Sequence, residues 1–269
     1  MNVGFAQFAP SFGEKDSNVQ RTIDLITEAV NTDLLVLPEL CSTGYLFEDK
    51  SEVKKMAEII PDGKTVKAWE KAAAETNTYI VAGICEKTKK EEYYNSAVLI
   101  GPEGYIDTYR KIQLFDNEKN LFLPGDGPFK IYDIGFAKIG MMICFDWAFP
   151  EIARILAING AEIICHPANL VLAFAQKAML ARSIENRVYT ITANRTGDDI
   201  RPNSKLTFTG QSQITSPKME ILYQAKVDTE EVITIEIDPK LAQNKMITAN
   251  NHVFMDRRVE LFESLLDKK

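Results

Sequence analysis

The stretch Lys138–Gly160, KIGMMICFDWAFPEIARILAING, decides the reading of this 269-residue chain. Its first part, Lys138 to Ile143, is a near-continuous apolar run, the pattern of a strand buried on both faces. Phe149-Pro150-Glu151 then opens a helix, with proline in the first turn, and Asn159-Gly160 stops it. Ile152, Ile155 and Leu156 are spaced to share one face of that helix. Cys144 therefore falls at the carboxyl end of a buried strand, where the chain turns into a helix N-terminus. Backbone N–H groups at such a point stabilise a thiolate and bond an oxyanion. A structural cysteine satisfies the same pattern, because free thiols are among the most buried groups. The stretch by itself leaves both readings open.

Composition narrows the field. Lys and Arg number 31 against 38 Asp and Glu, a net charge of −7, and 45% of residues are apolar. This describes a folded protein with a mildly acidic surface, without the basic footprint that nucleic acid or an anionic membrane demands. No apolar run reaches the length of a membrane span, and a first strand beginning at Asn2 leaves no room for a signal peptide. Cys41, Cys85, Cys144 and Cys165 show no paired spacing and each adjoins an apolar run, as expected of reduced thiols in the cytoplasm. His166 and His252 are the only histidines and there is no Cys-x-x-Cys, so a zinc site or a Cys–His dyad has little to work with. We expect no metal and no organic cofactor.

Outward from the central stretch, short apolar runs alternate with helical patterns. Val3–Phe8 reads as a strand. Ser17 and Gln20 form a capping box ahead of Val19, Ile23, Ile26 and Val30 on one helical face. Leu34–Leu37 is a strand ended by Pro38-Glu39-Leu40. A loop with Gly44, Tyr45 and Phe47 leads to a helix that aligns Val66, Trp69 and Ala73, then to a strand at Tyr79–Cys85. Lys87–Glu92 is a hairpin tip, Gly101–Gly104 turns between Tyr94–Ile100 and Tyr105–Tyr109, and Phe115–Gly127 is loop. Phe129–Ile134 and Glu162–His166 are strands, and Leu180, Ile184 and Val188 mark a helix. Further strands follow at Tyr189–Ala193, Thr207–Ile214, Glu220–Leu222 and Glu231–Ile237. With no linker or low-complexity segment, the expectation is one α/β domain over 1–269, its sheets layered between helices. Its tail, about 239–269, is expected to dock on the body or on a partner.

Two other ionisable residues sit, like Cys144, immediately after an apolar or aromatic strand: Glu39 after Leu34–Pro38 and Lys111 after Tyr105–Arg110. Ligand crevices of open α/β folds lie beyond the carboxyl ends of strands, and an ionisable group there is costly to desolvate without a partner. A surface carboxylate and a solvated Arg110-Lys111 pair are the plainer alternatives. Three stretches together settle the weighting. Leu37-Pro38-Glu39-Leu40 with Gly44-Tyr45, then Tyr109-Arg110-Lys111-Ile112-Gln113-Leu114-Phe115, then Gly140-Met141-Met142-Ile143-Cys144-Phe145-Asp146 with Phe149-Pro150-Glu151, resemble the motifs of the carbon–nitrogen hydrolase (nitrilase) superfamily in their family order.

The resemblance runs from about Asn2 to about Arg258. It implies a four-layer αββα sandwich, often paired into homodimers through the nucleophile-side helices and the C-terminal segment. It also implies a catalytic trio of Glu39, Lys111 and Cys144. Glu118, within Asn117-Glu118 before Phe122-Leu123-Pro124-Gly125, resembles the family's additional acidic residue. In that scheme Glu39 takes the Cys144 proton, the thiolate attacks an electrophilic carbon, and Lys111 with the Phe145 N–H faces the resulting anion.

Family enzymes that act on N-carbamoyl amino acids or dicarboxylate monoamides carry an arginine just after the nucleophile. This chain has Asp146-Trp147-Ala148-Phe149, and looks more like the branches for carbamoylated amines or small aliphatic nitriles, archaeal nitrilases included. Arg182, Arg187, Arg195 and Arg201 remain able to supply a cation from elsewhere. Tyr45, Phe47, Phe145, Trp147 and Asn169 are the candidate substrate contacts, with core packing the plainer role for the aromatics. Glu185-Asn186-Arg187 reads as a helix-end ion pair, and His166 as a satisfied buried histidine. The expected partner is a small amide, carbamoyl or nitrile substrate. A nitrilase and a non-catalytic binding protein on the same fold are the rival readings.

Overall fold

The computed structural model describes residues 1–202 and 204–267. In chain order the first half comprises β1 (Asn2–Gln7), α1 (Lys15–Glu28), β2 (Leu34–Val36), α2 (Lys50–Met56), α3 (Lys64–Thr76), β3 (Tyr79–Lys87), β4 (Tyr93–Gly101), β5 (Gly104–Arg110) and the single turn α4 (Glu118–Leu121). The second half continues with β6 (Ile131–Asp133), β7 (Lys138–Met141), α5 (Pro150–Ile158), β8 (Ile163–Pro167), α6 (Ala175–Asn186), β9 (Tyr189–Ala193), β10 (Asp198–Arg201), β11 (Ser204–Thr207), β12 (Gln213–Thr215), β13 (Ile221–Gln224), β14 (Glu231–Glu236), β15 (Met246–Thr248) and β16 (Asn251–His252).

The strands form two six-stranded sheets, ordered β14-β1-β2-β3-β4-β5 and β13-β12-β9-β8-β7-β6, together with the separate hairpins β10-β11 and β15-β16. Their inner faces share one core: Val3, Phe5, Val36, Val81 and Leu99 of the first sheet meet Ile139, Met141, Ile163, Cys165 and Ile191 of the second. Outside the first sheet, α1 and α3 cover Leu35, Ile80 and Val98 with Leu25, Ile26, Val66 and Trp69. Outside the second, α5 and α6 cover Met142 and Ile164 with Ile152, Leu156 and Met179. Because β2, β3, β7, β8 and β9 lie between apolar layers on both faces, their sequences are runs and not alternations. The four-layer αββα sandwich follows. No helix among the described residues is long and apolar enough to cross a membrane.

Several sequence expectations need correction. Ser17 and Gln20 form no capping box: α1 starts at Lys15, and Gln20 bonds Asp24 instead. Asn18 turns the first turn inward, its side chain tying Ser11 and Ser42. The face of α1 is rotated accordingly. Asn18, Thr22, Leu25 and Ile26 are buried, whereas Val30 is exposed. In α5 the buried set is Ile152, Ala153, Leu156 and Ala157, with Ile155 turned outward. In α6 it is Ala175, Gln176, Met179, Ser183 and Asn186, while Leu180 and Ile184 are only half-buried. The run Thr207–Ile214 is two strands, β11 and β12, separated by a loop through Gly210. Short elements absent from the sequence reading are α2, α4, β10, β15 and β16.

After β14 the tail crosses a 3-10 turn at Pro239–Ala242 and the β15-β16 hairpin, where Lys245 Nζ caps α6 by donating to the carbonyls of Asn186 (3.1 Å) and Arg187 (2.8 Å). Beyond it Met255, Val259, Leu261, Leu265 and Leu266 are exposed.

Candidate active site

Glu39, Lys111 and Cys144 each sit shortly past a strand end, while Glu118 opens the turn α4. Past β2 the chain runs along β3, with Leu37 N–H bonded to the Val81 carbonyl (2.8 Å) and Gly83 N–H to the Pro38 carbonyl (3.1 Å). The approach is so close that a Cβ on Gly83 would lie 2.4 Å from Glu39 Cα, so only glycine fits there. Lys111 follows β5 and is fixed through its backbone, its N–H on the Asn95 carbonyl (2.8 Å) and its carbonyl under the Gly125 N–H (2.8 Å). Cys144 follows β7 and opens a 3-10 turn, Cys144–Ala148, rather than the α-helix itself, which starts at Pro150.

The side chains converge. Lys111 Nζ donates to Glu39 Oε1 at 2.7 Å and to Glu118 Oε1 at 2.8 Å, with all three residues buried. Asn95 Nδ2 bridges the same two oxygens at 2.7 and 3.2 Å. Glu118 Oε2 accepts the Phe115 N–H at 2.8 Å, which locks that carboxylate in place. Glu39 Oε2, by contrast, is buried and has no hydrogen-bond partner among the described residues. A buried carboxylate oxygen left free is costly unless it has a chemical use.

The electrostatics are consistent with such a use. Burial, opposed by Lys111 and reinforced by Glu118, raises the Glu39 carboxyl to about 7. Burial lowers, but the two carboxylates more than restore, the affinity of Lys111 for its proton, so it remains an ammonium. Burial first, then Glu39, pushes the Cys144 thiol well above its ordinary range, against pulls from Lys111 and the Asn169 backbone. At rest the sulfur is a thiol.

The Cys144 backbone stands at φ 41°, the left-handed region, which is strained for any residue with a side chain. His166 braces it from below: Nε2 lies 2.9 Å from the Cys144 carbonyl and Nδ1 3.1 Å from Thr192 Oγ1. Its burial lowers its pKa to about 4, so it is a neutral strut.

Cys144, Phe115, Phe145, Trp147, Asn169, Leu170, Val171 and Leu172 line a narrow cleft. Tyr45, Phe47 and Glu118 line a second one, with Phe115 in the wall of both. Asn169 also has a scaffolding bond that its sequence did not indicate, its Nδ2 on the Glu39 carbonyl at 2.9 Å. None of the four arginines lines the cleft. Arg182 bonds the Trp147 carbonyl and Glu185, and it is this pair, not Arg187, that makes the helix-end ion pair. Arg187 bonds the Asn244 and Pro217 carbonyls, Arg195 pairs with Asp199, and Arg201 pairs with Glu52. Asn95 and Asp146 escaped sequence reasoning, since nothing local marks a strand asparagine as a bridge between two distant carboxylates.

Known proteins resemble this chain over nearly its whole length. The carbon–nitrogen hydrolase family model matches residues 2–245. The chain is 48% identical over 264 residues to a nitrilase of Pyrococcus abyssi, covering 97% of this chain and 99% of that one. It is 30% identical over 287 residues to the N-carbamoylputrescine amidase of Arabidopsis thaliana, covering 98% and 94%. A crystal structure of a carbon–nitrogen hydrolase from Helicobacter pylori superposes with a TM-score of 0.91 at 26% identity, covering 100% of this chain and 99% of that one. The chain belongs to the carbon–nitrogen hydrolase (nitrilase) superfamily and is a hydrolase of carbon–nitrogen bonds other than peptide bonds.

Proposed function

We propose that Cys144 is the nucleophile, Glu39 the general base and acid, and Lys111 the oxyanion partner in hydrolysis of a small aliphatic amide or N-carbamoyl amine. Glu118 holds the Lys111 ammonium in place. The observation that carries the reading is the unpartnered Glu39 Oε2 in a cluster whose other polar atoms on Glu39, Lys111 and Glu118 are bonded.

Because Cys144 is a thiol at rest, its proton has to leave as the bond to carbon forms, and Glu39, ionised above about pH 7, receives it. The sulfur attacks the carbonyl carbon, and the oxygen takes up the electron pair facing the Lys111 ammonium and the Phe145 N–H. Glu39 returns the proton to the departing nitrogen as the carbon–nitrogen bond breaks, leaving a thioester. Water, deprotonated by Glu39, then displaces the sulfur. The acid departs and Cys144 regains its proton.

The lining of the cleft supports a small, neutral substrate: its side chains carry no charge beyond the cluster itself, and the nearby arginines are engaged elsewhere. Similarity to a protein named nitrilase favours a second reading, in which the same sulfur attacks a small nitrile and water on two occasions yields acid and ammonia. Four buried, unpaired cysteines fit a reducing cytoplasm, and the exposed apolar residues of α5 and of the tail fit a homodimer of single-domain subunits.

The test is an ammonia-release screen over small amides, ureido compounds and nitriles, with product masses, on the parent and on Cys144→Ala. Loss of turnover in the variant is expected. Unchanged turnover removes the nucleophile assignment.

A further inference from the structure

The nucleophile turn and the lysine loop belong to different sheets' strand ends, and a buried side chain outside the mechanism above ties them together. Asp146 is fully buried. Its Oδ2 accepts the Ile143 backbone N–H at 2.8 Å and the Tyr109 hydroxyl at 2.8 Å, and its Oδ1 accepts the Gln113 backbone N–H at 3.0 Å. Ile143 immediately precedes Cys144, while Tyr109 and Gln113 flank Lys111 on either side. We infer that Asp146 is a positioning residue, whose carboxylate sets the distance and direction between the Cys144 sulfur, the Phe145 N–H and the Lys111 ammonium. The inference rests on the roles proposed above for Cys144 and Lys111.

The physical need is visible in the backbone. A left-handed cysteine costs roughly 1–3 kcal/mol and persists only where its surroundings over-determine it. Here the turn is closed from both directions: Asp146 Oδ2 accepts the Ile143 N–H, and the Asp146 N–H donates to the Ile143 carbonyl at 3.0 Å. The same carboxylate reaches across to the segment carrying Lys111. All three groups that face it are donors, so both oxygens have to act as acceptors. Asp146→Asn keeps the volume but turns an NH2 toward a donor, which leaves a tether broken and its N–H or O–H unsatisfied. A displacement of an ångström between reacting groups is enough to lower turnover about 100-fold.

The test compares Asp146→Asn, Tyr109→Phe and the double variant on any small amide or nitrile that the parent hydrolyses. Active sites are counted by complete alkylation of the thiol. Parent activity is first shown to vanish on alkylation and in Cys144→Ala; if it does not, the nucleophile reading fails and Asp146 is not the cause. The expected result is a fall in kcat per alkylatable site of about 100-fold for Asp146→Asn, with KM within about threefold. Tyr109→Phe loses a single tether and falls about three- to tenfold, and adds nothing once Asp146 is already asparagine. A purely structural role predicts fewer alkylatable sites with kcat per site and KM unchanged, or losses that multiply in the double variant. Either outcome overturns the inference. Should Asp146→Asn yield no folded protein, Tyr109→Phe decides it: unchanged kcat per site refutes the positioning role.

Discussion

Lys111 and Arg195 are both buried cations, and their surroundings differ in one respect. Arg195 pairs with a single carboxylate, Asp199, at 3.0 Å; the guanidinium lies 4.0 Å from the Phe208 ring centroid and donates to the Pro10 carbonyl. The other Asp199 oxygen accepts the N–H groups of Tyr45 and Leu46, at 2.9 and 3.0 Å. Charge there is balanced one for one: Asp199 Oδ2 accepts two N–H groups and Oδ1 faces the guanidinium as an ion pair, although Arg195 Nη1 makes no hydrogen bond among the described residues. Lys111 instead faces two carboxylates, with one oxygen free. The balanced pair fixes a loop beside the site. Burial, reinforced by the second carboxylate against the pull of Lys111, raises the Glu39 carboxyl to about 7. An unbalanced buried cluster is a better mark of chemistry than burial of charge alone.

The comparison breaks first at Glu39. Glu39→Gln removes the surplus charge but keeps an acceptor for Lys111, so turnover should fall by up to about 10⁴-fold while the melting temperature does not drop. Steady-state rates and thermal melts on one preparation check both halves. Lys111→Met and Arg195→Met sharpen it next. Each strands buried carboxylate, so each should cost about 3–5 kcal/mol in denaturant unfolding. Only Lys111→Met should also reduce turnover per folded molecule by about 10²–10³-fold, as loss of an oxyanion donor does. Equal catalytic losses in the two variants would erase the distinction.

A smaller effect is the dependence on pH. Glu39 is protonated below about 7, so kcat/KM should decline about tenfold per unit as pH falls through that value. The sign for stability is opposite. Its folded pKa stands above the ordinary 4.5, so ionisation costs the folded state; the contribution of Glu39 is most favourable below about 4.5 and fades as pH rises through about 7. Smallest is the preference between substrates. Arg195 pairs with Asp199 and does not line the cleft, so valeramide should exceed glutaramate in kcat/KM by at least about tenfold. Equal rates would show that a cation reaches the cleft.

Glu39 and Cys144 were legible because each follows a buried apolar run, whereas Lys111 follows the half-exposed edge strand β5 and was legible through its local motif. Glu118 was legible through its Asn117 neighbour and the Pro124-Gly125 punctuation. Asp146 stood within the quoted motif, yet its purpose depends on Tyr109 and Gln113, which are distant in the chain. Asn95 reads as any polar strand residue until the two carboxylates are placed beside it. Helix positions were legible but their faces were not: Val30 and Ile155 fit an apolar stripe by spacing, while polar Asn18 and Thr22 take the inward places because bonds to Ser11, Ser42 and Trp69 make burial affordable. The β10-β11 hairpin is short and charged, with Lys205 paired to Asp198, so no apolar pattern announces it.

The central claim is that sulfur, ammonium and a free carboxylate oxygen act on one carbon. Its most direct test is to quench the enzyme during turnover of a small amide or nitrile and map the acyl adduct by mass spectrometry. The account predicts an acyl group on Cys144 in the parent and none in Cys144→Ala. An adduct on another residue, or product formed by the alanine variant at the parent rate, would contradict it.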